Sequence, residues 1–280
     1  MSDVWGELIK NSSITQPDLG ASEPNFLFVG SERSGKTTLQ NIFFNKADDQ
    51  PHPTLALSYQ SCTVKVSGHS HTLHFWELGG GLQLDRILDT IISESSKPNF
   101  LIFICINLTN SSSILDGLSW ADLITSRFGN NRRSVFFACT HYDLFDLRDP
   151  NEKEIINNGI RSIASQQNFG IIYTSNKQSE LCTRFKDIIK FIGIAKSKLR
   201  QKSFDSPLLI SPGEDKESID NRDAISALMK LLSQETEGSK EVSPRGMNIA
   251  ENPQFAEEEI DALRTNGKEK RNKTKMKNKN

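Results

Sequence analysis

Apolar residues along the chain fall into two patterns, short continuous runs and longer stretches with helical spacing. Continuous runs are typical of strands buried on both faces of a sheet, and they occupy residues 26–29, 100–106, 134–139 and 170–174. Helical spacing follows the first run and recurs at 82–96, 113–128, 152–167 and 179–198. Residues 54–66 and 71–77 indicate a hairpin. Strands that alternate with helices predict an α/β domain with an open, mostly parallel sheet over residues 25–200.

The most specific motif lies between the first strand and the first helix. Residues 30–37 read Gly-Ser-Glu-Arg-Ser-Gly-Lys-Thr, which is the G-x-x-x-x-G-K-[ST] spacing of a P-loop. Two glycines allow successive N–H groups to point at a phosphate, the lysine can reach the terminal phosphates, and the last hydroxyl can ligate Mg²⁺. The alternative is a surface turn with an accidental Gly-Lys-Thr. The predicted nucleotide-binding residues are Gly30, Ser31, Glu32, Arg33, Ser34, Gly35, Lys36, Thr37 and Thr38.

Further positions would complete a site for GTP, GDP or another nucleotide with Mg²⁺; a nucleotide held only as part of the structure and an empty site are the alternatives. Thr54 stands where GTPases place a metal-binding threonine, although a strand-start residue is the alternative. Glu77 stands where a metal-side aspartate is expected, so Thr37, Thr54 and Glu77 are the candidate metal ligands. Gly81 replaces the glutamine that orients water in many GTPases, which predicts slow or absent hydrolysis and no catalytic residue.

Base recognition is predicted from a weaker pattern, Thr-His-Tyr-Asp at residues 140–143. Asp143 could accept hydrogen bonds from a guanine edge, although His141 replaces the lysine usual in GTPases. A capping aspartate at the end of a buried strand is the alternative. Residues 174–177 resemble the last base-side loop of such domains, which is a weak signal by itself.

Composition narrows the class of protein. The four cysteines are widely spaced, which predicts reduced thiols in a cytosolic protein and no disulfide framework. His69, His71 and His74 are predicted to be exposed on a strand face, with a zinc site as the less favoured alternative. The sequence shows no secretory signal, and no apolar stretch approaches the roughly 18 residues of a membrane span.

The predicted domain boundaries follow changes in composition. Residues 1–24 combine an amphipathic stretch with a linker, 25–200 form the nucleotide-binding domain, 201–267 form an extended C-terminal segment, and 268–280 form a basic disordered tail. A helix at 222–234 has an apolar face that could dock on its own domain or on a partner. The tail lacks interleaved aromatic residues, so no nucleic-acid partner is predicted.

Several motifs resemble the light intermediate chains of cytoplasmic dynein 2, the retrograde motor of intraflagellar transport. The motifs occupy residues 4–7, 53–59, 74–81, 142–145 and 252–261. The resemblance implies a Ras-like domain that docks on the motor heavy chain as a structural subunit rather than a cycling enzyme. It also implies association with other dynein 2 subunits and intraflagellar transport particles, a role in cilium assembly, and a place in the cytoplasm and cytoskeleton and in the cilium, at the axoneme and basal body. The intact 30–37 loop keeps a second hypothesis open, a stand-alone GTPase-like switch.

Overall fold

The computed structural model describes residues 23–46, 51–66, 69–92, 100–128, 134–193, 205–215 and 221–241. The predictions made for residues 1–22 and 242–280 lie outside these ranges. They include the N-terminal amphipathic stretch, the motif at 252–261 and the basic tail.

Seven strands and seven α-helices make up the described part of the chain. The strands are β1 (Asn25–Gly30), β2 (Leu57–Val66), β3 (His69–Leu78), β4 (Phe100–Asn107), β5 (Ser134–Thr140), β6 (Gly170–Tyr173) and β7 (Leu209–Ile210). The helices are α1 (Lys36–Phe44), α2 (Ile87–Ile91), α3 (Ser111–Phe128), α4 (Tyr142–Phe145), α5 (Pro150–Gln167), α6 (Ser179–Gly193) and α7 (Asn221–Glu241), with a 3₁₀ turn at Gly81–Leu84. None of these helices is long and apolar enough to cross a membrane.

The strands form one sheet in the order β2-β3-β1-β4-β5-β6-β7. The five inner strands are parallel, and the edge strands β2 and β7 pair antiparallel with β3 and β6. Gly30 at the end of β1 pairs with Cys105 on β4, and Asn107 pairs with Thr140 on β5. The α/β fold with a mostly parallel sheet is therefore confirmed, and the carboxyl ends of three strands meet at one edge, where such sheets bind ligands.

Continuous apolar runs form the inner strands because both faces of the sheet are covered. On one face, the rings of Phe28, Phe75 and Phe103 stack, with Phe28 and Phe103 centroids 5.1 Å apart. On the other face, Leu27 and Ile102 lie in a separate cluster of buried aliphatic and aromatic side chains. Successive side chains of such a strand point in turn to one apolar layer and then to the other, so its inner positions are apolar. The polar residues Ser134 and Thr174 lie at the ends of their runs.

Two predicted elements differ in the structure. In the described part of the helix predicted over 82–96, up to residue 92, the structure has the 3₁₀ turn Gly81–Leu84 followed by the short helix α2. Gly80 and Gly81 both have a φ of 69°, outside the helical region, so the chain enters this stretch in a turn. The first hairpin strand begins at Leu57 rather than 54, because residues 51–56 run along the site described below.

Residues 205–215 and 221–236 belong to the same compact unit, which extends to Thr236. Strand β7 pairs with β6, and Leu228 and Leu232 of α7 are fully buried. Gly159 of α5 allows this approach, since a Cβ there would lie 2.6 Å from the Leu228 side chain. The apolar face of α7 therefore covers its own domain at these two leucines, past the boundary predicted at residue 200. The second unit, Glu237–Asn280, enters the described residues only as the last turn of α7.

Truncating the buried face of α7 is expected to destabilise the domain. Leu232→Ala should lower the free energy of unfolding by about 2–5 kcal/mol, because it removes a fully buried side chain and leaves a cavity. Met229→Ala is the matched control on the same helix, since Met229 is 42% exposed, and it should cost less than about 1 kcal/mol. Urea unfolding measures both changes, and equal losses for the two variants would contradict this packing.

Candidate functional site

The 30–37 loop joins the carboxyl end of β1 to the first turn of α1. Gly30, Arg33 and Gly35 have φ values of 138°, 56° and 86°. A side chain at Gly30 is excluded by packing, since a Cβ there would lie 2.3 Å from the carbonyl oxygen of Cys105. Gly35 is the N-cap of α1 and supplies no side-chain cap. The first N–H groups of α1 thus face the loop as they do in anion sites at helix N-termini.

Lys36 folds back into the loop that precedes it. Its Nζ donates hydrogen bonds to the carbonyl oxygens of Ser31 (2.7 Å) and Gly30 (3.1 Å). Burial lowers the pKa of the Lys36 ammonium from its ordinary value, and the charges of Glu77 and Glu32 oppose that shift. An ammonium has three donors, so Lys36 keeps one for a phosphate oxygen while the loop fixes its direction.

Ser34 provides an orphaned polar atom in the same loop. Its side chain is fully buried, and its Oγ has no hydrogen-bond partner among the described residues. A buried hydroxyl without a partner costs free energy, and a bound oxyanion or water would remove that cost. The loop therefore fits the phosphate group that its sequence predicts.

Glu77 joins the two threonines predicted to hold a metal. Its Oε1 accepts hydrogen bonds from Thr37 Oγ1 at 2.6 Å and from Thr54 Oγ1 at 2.8 Å, and its side chain is buried. The three oxygens come from three elements: the start of α1, the 51–56 segment and the end of β3. Hydroxyl and carboxylate oxygens are the ligands that Mg²⁺ prefers. The trio fits the predicted metal, which would neutralise phosphate charge there.

These groups line a cavity of about 680 Å³. The predicted residues that line it are Glu32, Arg33, Ser34, Gly35, Lys36, Thr37, Thr38, Thr54 and Glu77, joined by Pro51, His52, Pro53, Gly79, Gly80 and His141. Three predicted residues are not among the lining residues. Gly30 and Ser31 hold the Lys36 ammonium, and Asp143 contacts another side chain.

The segment predicted to recognise the base contributes His141 to the lining of the cavity. Its Nδ1 lies 2.8 Å from Thr140 Oγ1, and Thr140 Oγ1 donates to the Ser34 carbonyl at 3.0 Å. Burial lowers the pKa of the His141 imidazole, and Asp143 opposes that shift, so the ring is neutral near pH 7. Asp143 Oδ1 accepts a hydrogen bond of 2.6 Å from Ser175 Oγ. Ser175, which belongs to the weak pattern at residues 174–177, therefore orients the Asp143 carboxylate.

One predicted exposed histidine is buried, because it belongs to a contact that sequence patterns do not reveal. His74 is 3% exposed, and its Nε2 lies 2.8 Å from Glu23 Oε2. Its Nδ1 lies 2.8 Å from the Tyr59 hydroxyl. Among the described residues no group of three or more His, Cys, Asp or Glu side chains could hold a metal. The four cysteines are free.

Glycines 79 and 81 have different roles in the loop after β3. A Cβ at Gly79 would lie 1.9 Å from the Thr54 carbonyl oxygen, whereas a Cβ at Gly81 meets no atom within 4 Å. Gly79→Ala is therefore expected to push residues 51–56 away and separate Thr54 from Glu77, at a cost of about 1–3 kcal/mol. Gly81→Ala should cost about 1 kcal/mol, for its positive φ alone. Thermal unfolding of both variants checks this, and a milder effect at Gly79 would contradict it.

Comparison with known proteins finds sequence similarity to relatives that share one name. No protein-family model matches the sequence. The chain is 26% identical over 235 residues to the rat cytoplasmic dynein 2 light intermediate chain 1, covering 69% of this chain and 66% of the rat protein. It is 24% identical over 303 residues to the human protein of that name, covering 87% and 85% of the two chains. The bovine protein is 23% identical over 305 residues, covering 86% and 84%.

The five matching relatives point to the same protein family. All five matches carry the same name, and the chain spans about two thirds of the length of the rat and mouse relatives. The resemblance read from the sequence motifs is therefore confirmed at the level of the family.

Proposed function

We propose, from its family-level match to the cytoplasmic dynein 2 light intermediate chains, that this chain is a non-catalytic subunit of a dynein 2 motor. In this proposal it binds the motor heavy chain and other dynein 2 subunits, and it supports retrograde intraflagellar transport and cilium assembly. It acts in the cytoplasm and in the cilium, at the axoneme and basal body. The consistent names of the relatives carry this proposal.

The candidate site supports a structural role for the nucleotide. The 30–37 loop, with its N–H groups, Lys36 and the Ser34 hydroxyl, suits the phosphates of GDP or GTP. At Gly81, where GTPases carry the glutamine that orients water, there is no side chain to hold it. We therefore propose a Ras-like P-loop domain that holds a guanine nucleotide with Mg²⁺ as part of its fold and hydrolyses it slowly or not at all.

Co-expression with the heavy-chain tail tests the subunit proposal. The full chain should co-purify with that tail through size-exclusion chromatography as one complex. A variant that lacks residues 242–280 keeps every described element. The loss of complex in this variant measures how much the deleted residues contribute to binding of the heavy-chain tail. Separate elution of the full chain and the heavy-chain tail would contradict the proposal.

A stand-alone GTPase switch is the second candidate, and the Thr37–Glu77–Thr54 cluster favours it. Such a cluster links the 51–56 segment to the phosphate loop, as a switch that senses a bound nucleotide requires. Single-turnover GTP hydrolysis separates the two candidates. The structural subunit should show no conversion above a Lys36→Ala control, whereas a switch should turn over GTP, at least when a partner supplies an arginine.

A further inference from the structure

The first turn of α3 contacts both the phosphate loop and the C-terminal helix α7. Ser113 Oγ lies 2.8 Å from Ser31 Oγ, and it accepts a hydrogen bond from the Asn107 backbone N–H at 3.0 Å. Two residues earlier on the same turn, Ser111 Oγ donates a hydrogen bond to the Glu235 carboxylate of α7. Ser31, Ser111 and Ser113 are all buried, so water does not compete strongly for these bonds.

Glu235 also contacts Arg148, which lies three residues after the end of α4. Its Oε1 accepts a hydrogen bond of 2.8 Å from Arg148 Nη1, and Arg148 Nη2 lies 3.4 Å from the Thr109 carbonyl. The Arg148 backbone N–H bonds to the carbonyl of Phe145, the last residue of α4. One carboxylate of α7 therefore contacts Ser111, on the turn that leads to the 30–37 loop, and Arg148, which follows the helix α4 that carries Asp143.

We propose that docking of α7 and occupancy of the phosphate loop are thermodynamically coupled through the first turn of α3. This inference rests on the nucleotide binding proposed above. Its basis is that Ser31 and Glu235 each bond to the same turn, Ser31 through Ser113 and Glu235 through Ser111.

The physical reason is that nucleotide binding and α7 docking both order the same turn. A nucleotide that fixes the 30–37 loop fixes Ser31, and through Ser113 it restricts the turn at residues 110–113. Docking of α7 restricts the same turn through Ser111. Whichever event comes first lowers the entropy cost of the second, which gives positive cooperativity without any large movement. Reciprocity then requires that loss of the α7 contact weaken nucleotide binding by the same factor.

The coupling gives the C-terminal helix a role beyond covering the core. Helix α7 leads directly into residues 242–280, which include the motif at 252–261 that resembles the light intermediate chains. Occupancy of the site would therefore set how firmly residues 221–236 of α7, which precede that segment in the chain, are held on the domain.

Hydrogen exchange of the full chain tests the coupling, with GDP and Mg²⁺ as the probe. In the wild-type chain, saturating GDP should slow amide exchange in residues 221–236 by about fivefold or more, the lower end of typical couplings. In Glu235→Gln that slowing should disappear and the Kd for GDP should rise about fivefold. Gln234→Ala, an exposed neighbour on α7, is the matched control and should keep the wild-type values of both. Ser111→Ala removes the same contact from the α3 side and should behave as Glu235→Gln does.

Calorimetry of GDP binding on the same samples separates the outcomes. GDP that binds while exchange in α7 stays unchanged would overturn the coupling and leave nucleotide binding standing. The wild-type measurement decides this even where a variant fails to fold. An absence of GDP binding would overturn the coupling and the nucleotide proposal together, and it would leave association with the heavy chain untouched.

Discussion

Replacing Lys36 by alanine is expected to abolish the stabilisation of the domain by guanine nucleotide. In the wild-type chain, GDP with Mg²⁺ at a hundred times its Kd should raise the free energy of unfolding by about 2.7 kcal/mol. For a domain of this size that is a shift of about 5–10 °C in melting temperature. In Lys36→Ala the shift should fall below about 2 °C, because the ammonium that the loop aims at the phosphates is lost.

The variant should also be less stable without nucleotide. The carbonyl oxygens of Gly30 and Ser31 lose the ammonium that donates to both of them, and the buried Glu77 loses a nearby positive charge. Lys46→Ala is the matched control, because Lys46 follows the other end of α1 and donates to Gln60 at an exposed position. Equal melting temperatures for Lys36→Ala and the wild type in the presence of GDP would contradict this account of the loop.

Replacing Arg161 by alanine is expected to cause the largest loss of stability. The Arg161 guanidinium on α5 bonds both carboxylate oxygens of Asp215, at 2.9 and 3.1 Å, and both side chains are buried. Removing one partner leaves the other charge buried without it, so the free energy of unfolding should fall by about 3–5 kcal/mol. The pair holds residues 205–215 on α5, together with a bond from Ser165 Oγ to the Asp215 carbonyl.

Two control variants test whether the loss of stability comes from leaving a charge buried without its partner. Lys153→Ala on the same helix removes a solvent-exposed pair with Asp146 and should cost less than about 1 kcal/mol. The double variant Arg161→Met with Asp215→Leu should recover much of the loss, because no buried charge remains. Urea midpoints at constant m-value measure all three, and a loss below 1 kcal/mol for Arg161→Ala would contradict the contact.

The inner strands could be predicted because their sequence pattern has one physical explanation. A run such as residues 100–106, apolar at every position, fits a strand covered on both faces, and β4 lies between two apolar clusters. The apolar spacing at 82–96 predicted a helix, but Gly80 and Gly81 just before it have positive φ values and place the chain in a turn. The described part of that stretch therefore begins as the 3₁₀ turn Gly81–Leu84, and its α-helical part is Ile87–Ile91.

In the candidate site, local features could be predicted from the sequence, whereas contacts between distant segments could not. The spacing of the 30–37 loop predicted that it joins a strand to a helix, and Lys36 folds back onto the carbonyl oxygens of that loop. Contacts between distant segments carry no local signal, and the bonds from Ser31 to Ser113 and from Glu23 to His74 were not predicted. The docking of α7 was open for the same reason, because an amphipathic helix shows which face is apolar but not what covers it.

Affinity purification of the tagged chain from ciliated cells, with mass spectrometry of its partners, tests the central claim most directly. We expect a dynein heavy chain to be recovered together with intraflagellar transport subunits, from wild-type and Met229→Ala chains alike. Recovery of the chain without a dynein heavy chain, above all with bound GDP, would contradict the subunit account and favour the stand-alone GTPase.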